Sequence, residues 1–342
     1  MPTSGGETHA ANKRAVAEKL RALFSTPIES LGAAAADAYE DGAQLNAFHP
    51  VNEATGADQI VGALWQPLRT AFPDLERRDR IVVPGHYEGH DFVAIMSDLQ
   101  GRFEQDWIDI PANHEVVTLR CCEIHRVGDN GRIAETHMLV DTLDLMRQAG
   151  VWPVAPSLGA EITWPAPAGG GGADLEACDL ERGLESLRLV KAMHAGLGEF
   201  DGTDLKSMDH ARFWSPGFMW YGPAGIGTSK GLAGFEAHHQ IPFLRGFPDR
   251  RVHKHVANVY DGDFVVTGGW PSVIGTHSGP DWLGTGPTGR EIHFRVMDFY
   301  RVDGELIAEN WVPIDIADVL RQMGVDVFAR VRHLRGQPRT AL

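Results

Sequence analysis

One segment of the chain occurs twice, about half a chain length apart. Residues 309–315 (ENWVPID) lead into IADVLRQMG and residues 135–141 (ETHMLVD) lead into TLDLMRQAG, so the two final aspartates are 174 residues apart. A second pair agrees, because the triplet at residues 72–74 (FPD) returns at residues 247–249, 175 residues later. A period of this length is too long for a solenoid. The repetition therefore predicts a tandem duplication of one domain of average size.

Each copy of this segment has the pattern of a strand that ends near an acid and continues into a short helix. After Asp315, apolar residues follow at helical spacing and a glycine stands where a helix would end: Ile316, Val319, Leu320, Met323 and Gly324. A carboxylate at such a junction can point into the space that the sheet encloses. The same position also suits a helix cap, because Asp318 follows three residues later.

The predicted elements follow the same order in both halves. Helical composition at residues 11–39 and 174–197 comes first in each half, and a further helical stretch follows at residues 58–72 and 232–247. Strands come after it, one of them predicted over residues 251–260. A segment with four prolines and the run Gly-Gly-Gly-Gly separates the halves. We therefore predict an α+β protein with domains at residues 10–152 and 174–332, joined by a Pro/Gly-rich linker at residues 153–173.

Composition excludes several function classes. The hydrophobic content of 43% and charged content of 23% are typical of a soluble globular protein. A formal net charge of −15 argues against a nucleic-acid or membrane partner, since both require a basic face. The three cysteines, Cys121, Cys122 and Cys178, have the spacing of neither a disulfide framework nor a zinc site. With no long apolar run and no cleavable leader, we expect a cytoplasmic protein.

The combined pattern resembles a known family. Helices, a Phe-Pro-Asp turn, a curved sheet and a final Glu-x-Trp-x-x-x-Asp strand running into Leu-x-Gln-x-Gly are similar to the SnoaL-like polyketide cyclases, of the nuclear transport factor 2-like or ketosteroid-isomerase-like superfamily. The resemblance covers both halves. It is closer in the second, where all the motif positions fit: Glu309, Trp311, Asp315, Leu320, Gln322 and Gly324. The first half departs from it at His137, which stands where the second has Trp311.

The resemblance implies a fold, a reaction and an assembly. In this family a strongly bent sheet wraps a long helix into a cone with a deep, mostly apolar cavity. An aspartate at the junction acts as acid/base in an intramolecular aldol ring closure, without metal or organic cofactor. By position that residue is Asp315 and, in the first half, Asp141, where His137 could itself shuttle a proton. Superfamily members commonly pair their sheets, so the resemblance implies two tandem cones that form an intrachain pseudo-dimer, and it leaves a homodimer of chains open.

Burial is what would make such a carboxylate a useful base. An aspartate with a pKa of about 3.9 is a poor base in water, and an apolar cavity raises that pKa toward the working pH. Strand alternation adds Asp298, which shares a face with Phe294, Val296 and Tyr300, and Glu123 matches it in the first half. Both patterns fit either an acid inside the cone or a buried acid paired with an arginine or a backbone donor.

Histidines and aromatic residues supply the other candidates. His277 and Trp282 belong to a Gly-rich loop, which either closes the cavity mouth, with His277 as acid or donor, or lies on the surface. His239 follows another histidine on a helix, so that one of the two faces inward, as cavity lining or as a satisfied core residue. The aromatic cluster around Trp220 and Tyr221 is either core or the wall of a pocket for a flat ligand.

These residues lead to one hypothesis and two alternatives. The hypothesis is a cofactor-free cyclase or isomerase that acts on a polyketide-like or other carbonyl-bearing small molecule, with Asp315 as acid/base and Trp311, Asp298 and His277 shaping the site. The first alternative is hydration, dehydration or epoxide opening on the same fold. The second is a non-enzymatic small-molecule carrier or scaffold, which a junction acid tied up as a helix cap would favour. The sequence shows no metal-binding motif, phosphate loop or nucleophile elbow.

Overall fold

The computed structural model describes residues 4–280 and 282–337. In each half helices come first and a mostly antiparallel sheet follows, which confirms the predicted α+β class. The helices are Ser4–Ser25 (α1), Leu31–Ala38 (α2), Ala57–Ile60 (α3), Gln66–Ala71 (α4), Thr142–Gln148 (α5), Leu180–Gly198 (α6), Gly231–Phe235 (α7), Ile241–Gly246 (α8), Ile316–Gln322 (α9) and Val327–Leu334 (α10). One π-helical turn joins α3 to α4 (Val61–Trp65) and another joins α7 to α8 (Glu236–Gln240).

Two curled sheets carry the halves. The strands are Tyr39–Ala47 (β1), Glu53–Thr55 (β2), Glu76–Tyr87 (β3), His90–Arg102 (β4), Val116–Val127 (β5), Ile133–Val140 (β6), Trp214–Tyr221 (β7), Ser229–Lys230 (β8), Arg251–Val252 (β9), Ala257–Asp261 (β10), Phe264–Thr276 (β11), Glu291–Asp303 (β12) and Leu306–Trp311 (β13). The strand orders are β2-β1-β6-β5-β4-β3 and β10-β11-β12-β13-β7-β8, with β9 paired to β11. In both sheets the first long strand runs parallel to the last, and the other pairs are antiparallel.

The long first helix shows why these segments fold as they do. Val16, Leu20 and Leu23 recur at helical spacing and are fully buried. The helix ends at Ser25, two residues before Pro27, whose ring cannot continue it. An apolar stripe thus packs α1 against the concave face of its sheet, as the corresponding stripe of α6 does in the second half.

The halves differ at one edge of the sheet. In the first, β3 runs unbroken for 12 residues and pairs with β4 along its length. In the second, the strand predicted over residues 251–260 is interrupted, because residues 253–256 leave the sheet between β9 and β10. The edge strand of the second sheet is therefore interrupted where that of the first is continuous.

The two sheets pack face to face within the chain. A Cβ added at Gly268 would lie 2.5 Å from the Cδ1 of Ile124 in the other sheet, and one at Gly85 would lie 2.7 Å from the Cβ of Val259. These contacts are shorter than real Cβ atoms allow, so glycine is required for the close approach. The buried ion pair between Lys13 and Asp261, 2.7 Å apart, ties α1 to the second domain. No helix within the described ranges is long and apolar enough to cross a membrane.

Candidate active site

The second domain contains a cavity of about 1590 Å³, and all its lining residues fall between Met193 and Ile314 in the sequence. This volume exceeds the roughly 300–1,000 Å³ of most small-molecule sites and leaves room for a compound of several rings. Aromatic side chains form much of the wall, among them Trp214, Trp220 and Phe235. The cavity is therefore shaped for a flat, largely apolar ligand.

Asp298 is the partly buried acid on the wall of this cavity. It projects from the middle of β12, where strand alternation directs Asp298 and Tyr300 to the same, cavity-lining face. Burial raises the pKa of Asp298 to about 6, and hydrogen bonds from Asn310 and Tyr300 offset only part of that effect. The Nδ2 of Asn310 lies 3.5 Å from its Oδ1. Among the described residues no cation lies close enough to pair with Asp298, so the carboxylate is held by neutral donors alone.

Tyr300 links the acid to a histidine on the long helix. The Nε2 of His194 lies 3.0 Å from the Tyr300 hydroxyl. Burial, reinforced by neighbouring His255, lowers the pKa of His194 to about 4, so its imidazole is neutral at pH 7. Burial and the adjacent carboxylate of Asp298 raise the pKa of Tyr300 well above its usual value. The result is a row of His194, Tyr300, Asp298 and Asn310 along the cavity, in which Tyr300 keeps its proton and can donate it in a hydrogen bond.

His239 adds a second neutral imidazole to the wall. Its ring stacks on Trp220, with centroids 4.2 Å apart and planes 18° apart, and on Phe243 at 5.7 Å. Burial lowers the pKa of His239 to about 3. Its Nδ1 is buried and has no hydrogen-bond partner within the described part of the chain. The residue sits in the π-helical turn Glu236–Gln240, a distortion often found at functional sites.

The first domain neutralises the equivalent acid. His125 pairs with Thr136 as Tyr300 pairs with Asn310, so Glu123 occupies the position of Asp298. The Nη2 of Arg77 lies 2.6 Å from the Oε2 of Glu123, and both side chains are at most 1% exposed. Burial alone would raise the pKa of Glu123, but Arg77 and His125 lower it to about 2. An ion network therefore occupies the interior of the first cone.

The second domain lacks the cation that would pair with Asp298. Position 252 corresponds to Arg77 at the 175-residue offset and holds Val252, which is 73% exposed on β9. The loss of this arginine leaves Asp298 without a counter-ion. The two domains thus share one acid position but place it in opposite electrostatic surroundings.

The structure corrects the expected position of Asp315, which does not line the cavity. Its Oδ1 caps α9 by accepting the N–H of Asp318 at 3.1 Å. Its Oδ2 accepts the backbone N–H of His49 in the first domain at 2.9 Å and the Nη1 of Arg295 at 3.1 Å. Burial raises the pKa of Asp315 to about 6, although Arg295 offsets part of the effect. The carboxylate oxygens of Asp315 are therefore taken up by an unpaired amide at the N-terminus of α9 and by an amide of the first domain, rather than directed into the cavity.

Asp141 of the first domain makes the same set of contacts, with the two domains exchanged. Its Oδ1 accepts the N–H of Asp144 at 3.0 Å, and its Oδ2 accepts the N–H of Ala224 in the second domain and the Nη1 of Arg120, both at 2.8 Å. His49 and Ala224 are 175 residues apart, as are Arg120 and Arg295. The two junction aspartates therefore form a pseudo-symmetric pair of links across the domain interface, each capping a helix and binding the opposite domain.

Other predicted site residues also lie away from the cavity. Trp311 stacks on Tyr221, with centroids 5.1 Å apart, on the sheet face opposite the cavity-lining Asn310. His137 lies on the corresponding face of the first sheet, against Trp270 of the second, and burial lowers its pKa to about 4. The period of two along a strand explains the error, since neighbours in sequence face opposite sides.

The predicted loop residues belong to the core rather than to a lid. His277 and Trp282 are both buried and pack on Phe247 at 5.3 and 5.2 Å. Burial lowers the pKa of His277. Of the predicted residues, the cavity brings together Asp298, Trp220 and His239. Within residues 4–280 and 282–337, no group of three or more His, Cys, Asp and Glu side chains is arranged to hold a metal ion.

Sequence reasoning missed the three polar residues that form a row with Asp298 in the cavity. Strand alternation places Tyr300 on the same face as Asp298, so a cavity position for Tyr300 could be predicted from the sequence. Asn310 directly precedes Trp311 and was missed because the family motif includes Trp311 but not Asn310. His194 carries no local signal, because it reaches Tyr300 only through the docking of α6, from 106 residues away.

The comparisons with known proteins agree with this fold. The model of the SnoaL-like polyketide cyclase family matches residues 16–149 and again residues 199–323. The chain belongs to this family. The double match confirms both the family and the tandem duplication. No curated protein matches the chain.

Solved structures match over the length of one domain. IdmH from Streptomyces antibioticus, described as a proposed polyketide cyclase, is 19% identical over 41% of this chain and 99% of its own, with a TM-score of 0.34. TsrD from Streptomyces laurentii is 20% identical over 41% and 96%, also at 0.34. A nuclear transport factor 2-like protein from Burkholderia xenovorans is 18% identical over 41% and 97%, at 0.32.

Proposed function

We propose that the second domain is a cofactor-free cyclase or isomerase that acts on a polyketide-like, carbonyl-bearing small molecule, with Asp298 as its general acid/base. The observation that carries the proposal is a carboxylate without a counter-ion, with a pKa of about 6, on the wall of a large aromatic cavity. Membership of a cyclase family supports it. Asp315 and Asp141 take a structural role in this proposal, and Asp298 takes the acid/base role first expected of them.

The proposed reaction needs only proton transfer between Asp298 and the substrate. Ionised Asp298 removes a proton from a carbon flanked by two carbonyls, and the enolate oxygen accepts a hydrogen bond from Tyr300 or from the neutral imidazole of His239. In a cyclisation the carbanion attacks a second carbonyl, and the proton on Asp298 passes to the new alkoxide. In an isomerisation it returns to a different carbon. A pKa near 6 suits both halves of this cycle better than the usual value of about 3.9.

The first domain serves as a structural partner in this proposal. Its acid is bound by Arg77, so it cannot accept a proton near neutral pH. Each chain would then hold one active centre and one domain that supports it. A cytoplasmic location remains a proposal too, supported by the free Cys121, Cys122 and Cys178.

A carrier without enzymatic activity is the main competing reading. The helix-cap geometry of Asp315 is what that reading expects. The open cavity, whose Asp298 has no counter-ion, favours catalysis instead, because a carrier gains nothing from a desolvated acid without a counter-ion. A carrier would bind a diketone and leave its proton exchange at the rate in buffer.

Hydration is a second candidate reaction, favoured by Asn310. Its amide and the carboxylate of Asp298 are 3.5 Å apart and together could orient one water on the cavity side of the pair. A product whose mass exceeds that of the substrate by one water would identify this reaction, since neither a ring closure nor an isomerisation adds water.

The proposal is tested by proton exchange, which needs no knowledge of the natural substrate. We would follow deuterium exchange at the central carbon of an aryl 1,3-diketone by NMR, with wild type, Asp298→Asn and Asp315→Asn. We expect Asp298→Asn to lose at least about 100-fold of the enzyme-dependent rate. Folded Asp315→Asn keeps it. An unchanged rate in folded Asp298→Asn would overturn the proposal.

The pH profile gives an independent check. Asp298 must be ionised to accept a proton, and burial raises its pKa to about 6. The exchange rate should therefore rise about tenfold per pH unit below pH 6 and level off above it. A profile that levels off near pH 4 would assign the base to an ordinary, hydrated carboxylate.

A further inference from the structure

The cavity contains a cation that the proposed acid/base chemistry does not use. Arg250 lines the cavity wall, is half-buried, and lies over the ring of Phe200 with its guanidinium carbon 5.4 Å from the centroid. Burial lowers its pKa, and within the described residues no carboxylate lies near enough to oppose that effect. The neighbouring Arg251, by contrast, pairs with Glu291 at 3.0 Å on the surface. Arg250 is thus a partly desolvated cation without a counter-ion.

The other charged groups around the cavity do not supply the missing anion. Asp201 and Asp204 lie at the mouth and are bound by amides of their own loop, at 2.7 to 2.9 Å. Glu236 has its pKa raised by burial and by Asp204 rather than lowered by an arginine. Burial lowers the pKa of His194 and of His255, so neither histidine competes as a cation at pH 7. Of the basic side chains that line the cavity in the described part of the chain, Lys206 and Arg245 are exposed and Arg251 is paired, so Arg250 is the half-buried one without a counter-ion.

We propose that Arg250 binds a carboxylate of the substrate, at the end of the cavity remote from Asp298. This inference rests on the proposed function and names the substrate class of the same site, a carbonyl compound that also carries an acid group. A guanidinium presents two parallel N–H donors to a carboxylate, and the contact is stronger where water is partly excluded. The ring of Phe200, 5.4 Å from the guanidinium carbon, stabilises the cation at this place by a cation–π contact.

The strand register separates the two ends of this substrate. Arg251, next to Arg250, pairs with Ile274 of β11, which pairs with His293 of β12. Asp298 lies five residues further along β12, a distance of roughly 17 Å along the strand. The substrate therefore carries its carboxylate several bonds away from the carbon that loses its proton. A molecule of two or more rings fits this separation and the cavity volume.

The first domain supports this reading by its replacement at the same position. Residue 75 corresponds to Arg250 at the 175-residue offset and is Leu75, which is 4% exposed. The domain that neutralises its own acid thus also lacks the cation. Both charged groups of the proposed substrate site occur together in the second domain.

Binding of matched acids and esters tests the inference. The probes are 6-hydroxy-2-naphthoate and 4′-hydroxybiphenyl-4-carboxylate, each with its methyl ester, because the phenol of each mimics an enol and the opposite end differs only in charge. Dissociation constants would be measured by fluorescence titration for wild type, Arg250→Gln, Arg250→Lys and Arg251→Gln. We expect wild type to bind at least one acid tenfold or more tighter than its ester.

The variants then assign that preference to one side chain. Arg250→Gln should bind acid and ester equally, with the ester constant unchanged, Arg250→Lys should keep part of the preference, and Arg251→Gln should keep all of it. The proposal is overturned if Arg250→Gln retains the preference, or if wild type binds neither acid better than its ester, including the case in which nothing binds. A preference that survives while Asp298→Asn leaves proton exchange unchanged would remove the proposed reaction and keep the anion site.

Discussion

The buried ion pair of the first domain gives the sharpest prediction about stability. Replacing Arg77 by methionine removes the cation that neutralises Glu123 and leaves a buried carboxylate beside His125, 3.8 Å away. Asp79, the other partner of Arg77, keeps Arg21 at 2.9 Å and Ser97 at 3.0 Å. The perturbation is therefore concentrated on one acid, which must either stay charged without a partner or take up a proton.

The cost can be worked from the pKa of that acid. Arg77 and its neighbours lower the pKa of Glu123 from 4.5 to about 2 against the effect of burial, which corresponds to roughly 3 kcal/mol at about 1.4 kcal/mol per unit. Protonating a glutamate from its ordinary pKa at pH 7 costs about the same. Breaking a buried ion pair by removing one partner typically costs about 3–5 kcal/mol. We expect Arg77→Met to lose about 3–5 kcal/mol at pH 7, or about 6–20 °C in Tm.

The pH dependence separates this mechanism from simple loss of packing. In wild type the folded-state pKa of Glu123 is depressed, so its contribution is present above pH 4.5 and is lost as pH falls through 2. In Arg77→Met that pKa is raised by burial, so the variant loses stability as pH rises above 4.5. The gap between wild type and variant should therefore shrink by about 2 kcal/mol or more between pH 7 and pH 5.

The assay is urea unfolding followed by tryptophan fluorescence at pH 5 and pH 7. Arg78→Met is the matched control, because Arg78 lies on the same strand and pairs with Glu76 in an exposed contact, with side chains 53% and 67% exposed. That control should stay within about 0.5 kcal/mol of wild type. An Arg77→Met protein with wild-type stability, or with a loss that is equal at the two pH values, would refute the reasoning.

Two further predictions concern the domain interface. Asp315→Ala should lower stability by about 2–4 kcal/mol, because α9 loses its cap and the buried N–H of His49 loses its acceptor. Thermal unfolding should show a similar loss for Asp141→Ala, and wild-type stability in both variants would contradict the interdomain role. Gly85→Ala should cost about 1–3 kcal/mol, since its Cβ would lie 2.7 Å from Val259, whereas Gly42→Ala, with no atom within 4 Å, should leave the unfolding midpoint unchanged.

The contrast between a paired acid in the first domain and an acid without a counter-ion in the second suggests how the duplication was used. In a homodimer of identical chains, a substitution that fills one cavity fills both. A tandem chain can change each copy separately, so the first cone can hold Arg77 and Glu123 for stability while the second keeps Asp298 and Arg250 facing a cavity. The two junction aspartates each bind an amide of the opposite domain, and these contacts hold the two domains in their pseudo-symmetric arrangement.

The duplication, the α+β class and the order of elements could all be predicted from the sequence, because each can be found by comparing residues along the chain without knowing the fold. Helical spacing in α1 and α9 and alternation in β12 need only local information, and the period of 174 to 175 residues needs only a comparison of one half of the sequence with the other. The shared cavity face of Asp298 and Tyr300 was predictable for the same reason.

Tertiary structure alone decided which acid has a counter-ion and which faces the cavity. Asp315 and Asp298 carry the same charge and both sit among apolar neighbours, but the first meets the amide of His49, 266 residues away, and the second meets Tyr300 and Asn310. Glu123 and Asp298 occupy equivalent strand positions and differ through Arg77, which comes from another strand. Electrostatic energy depends on distance in space and on exclusion of water, and neither quantity is encoded in the spacing of residues along the chain.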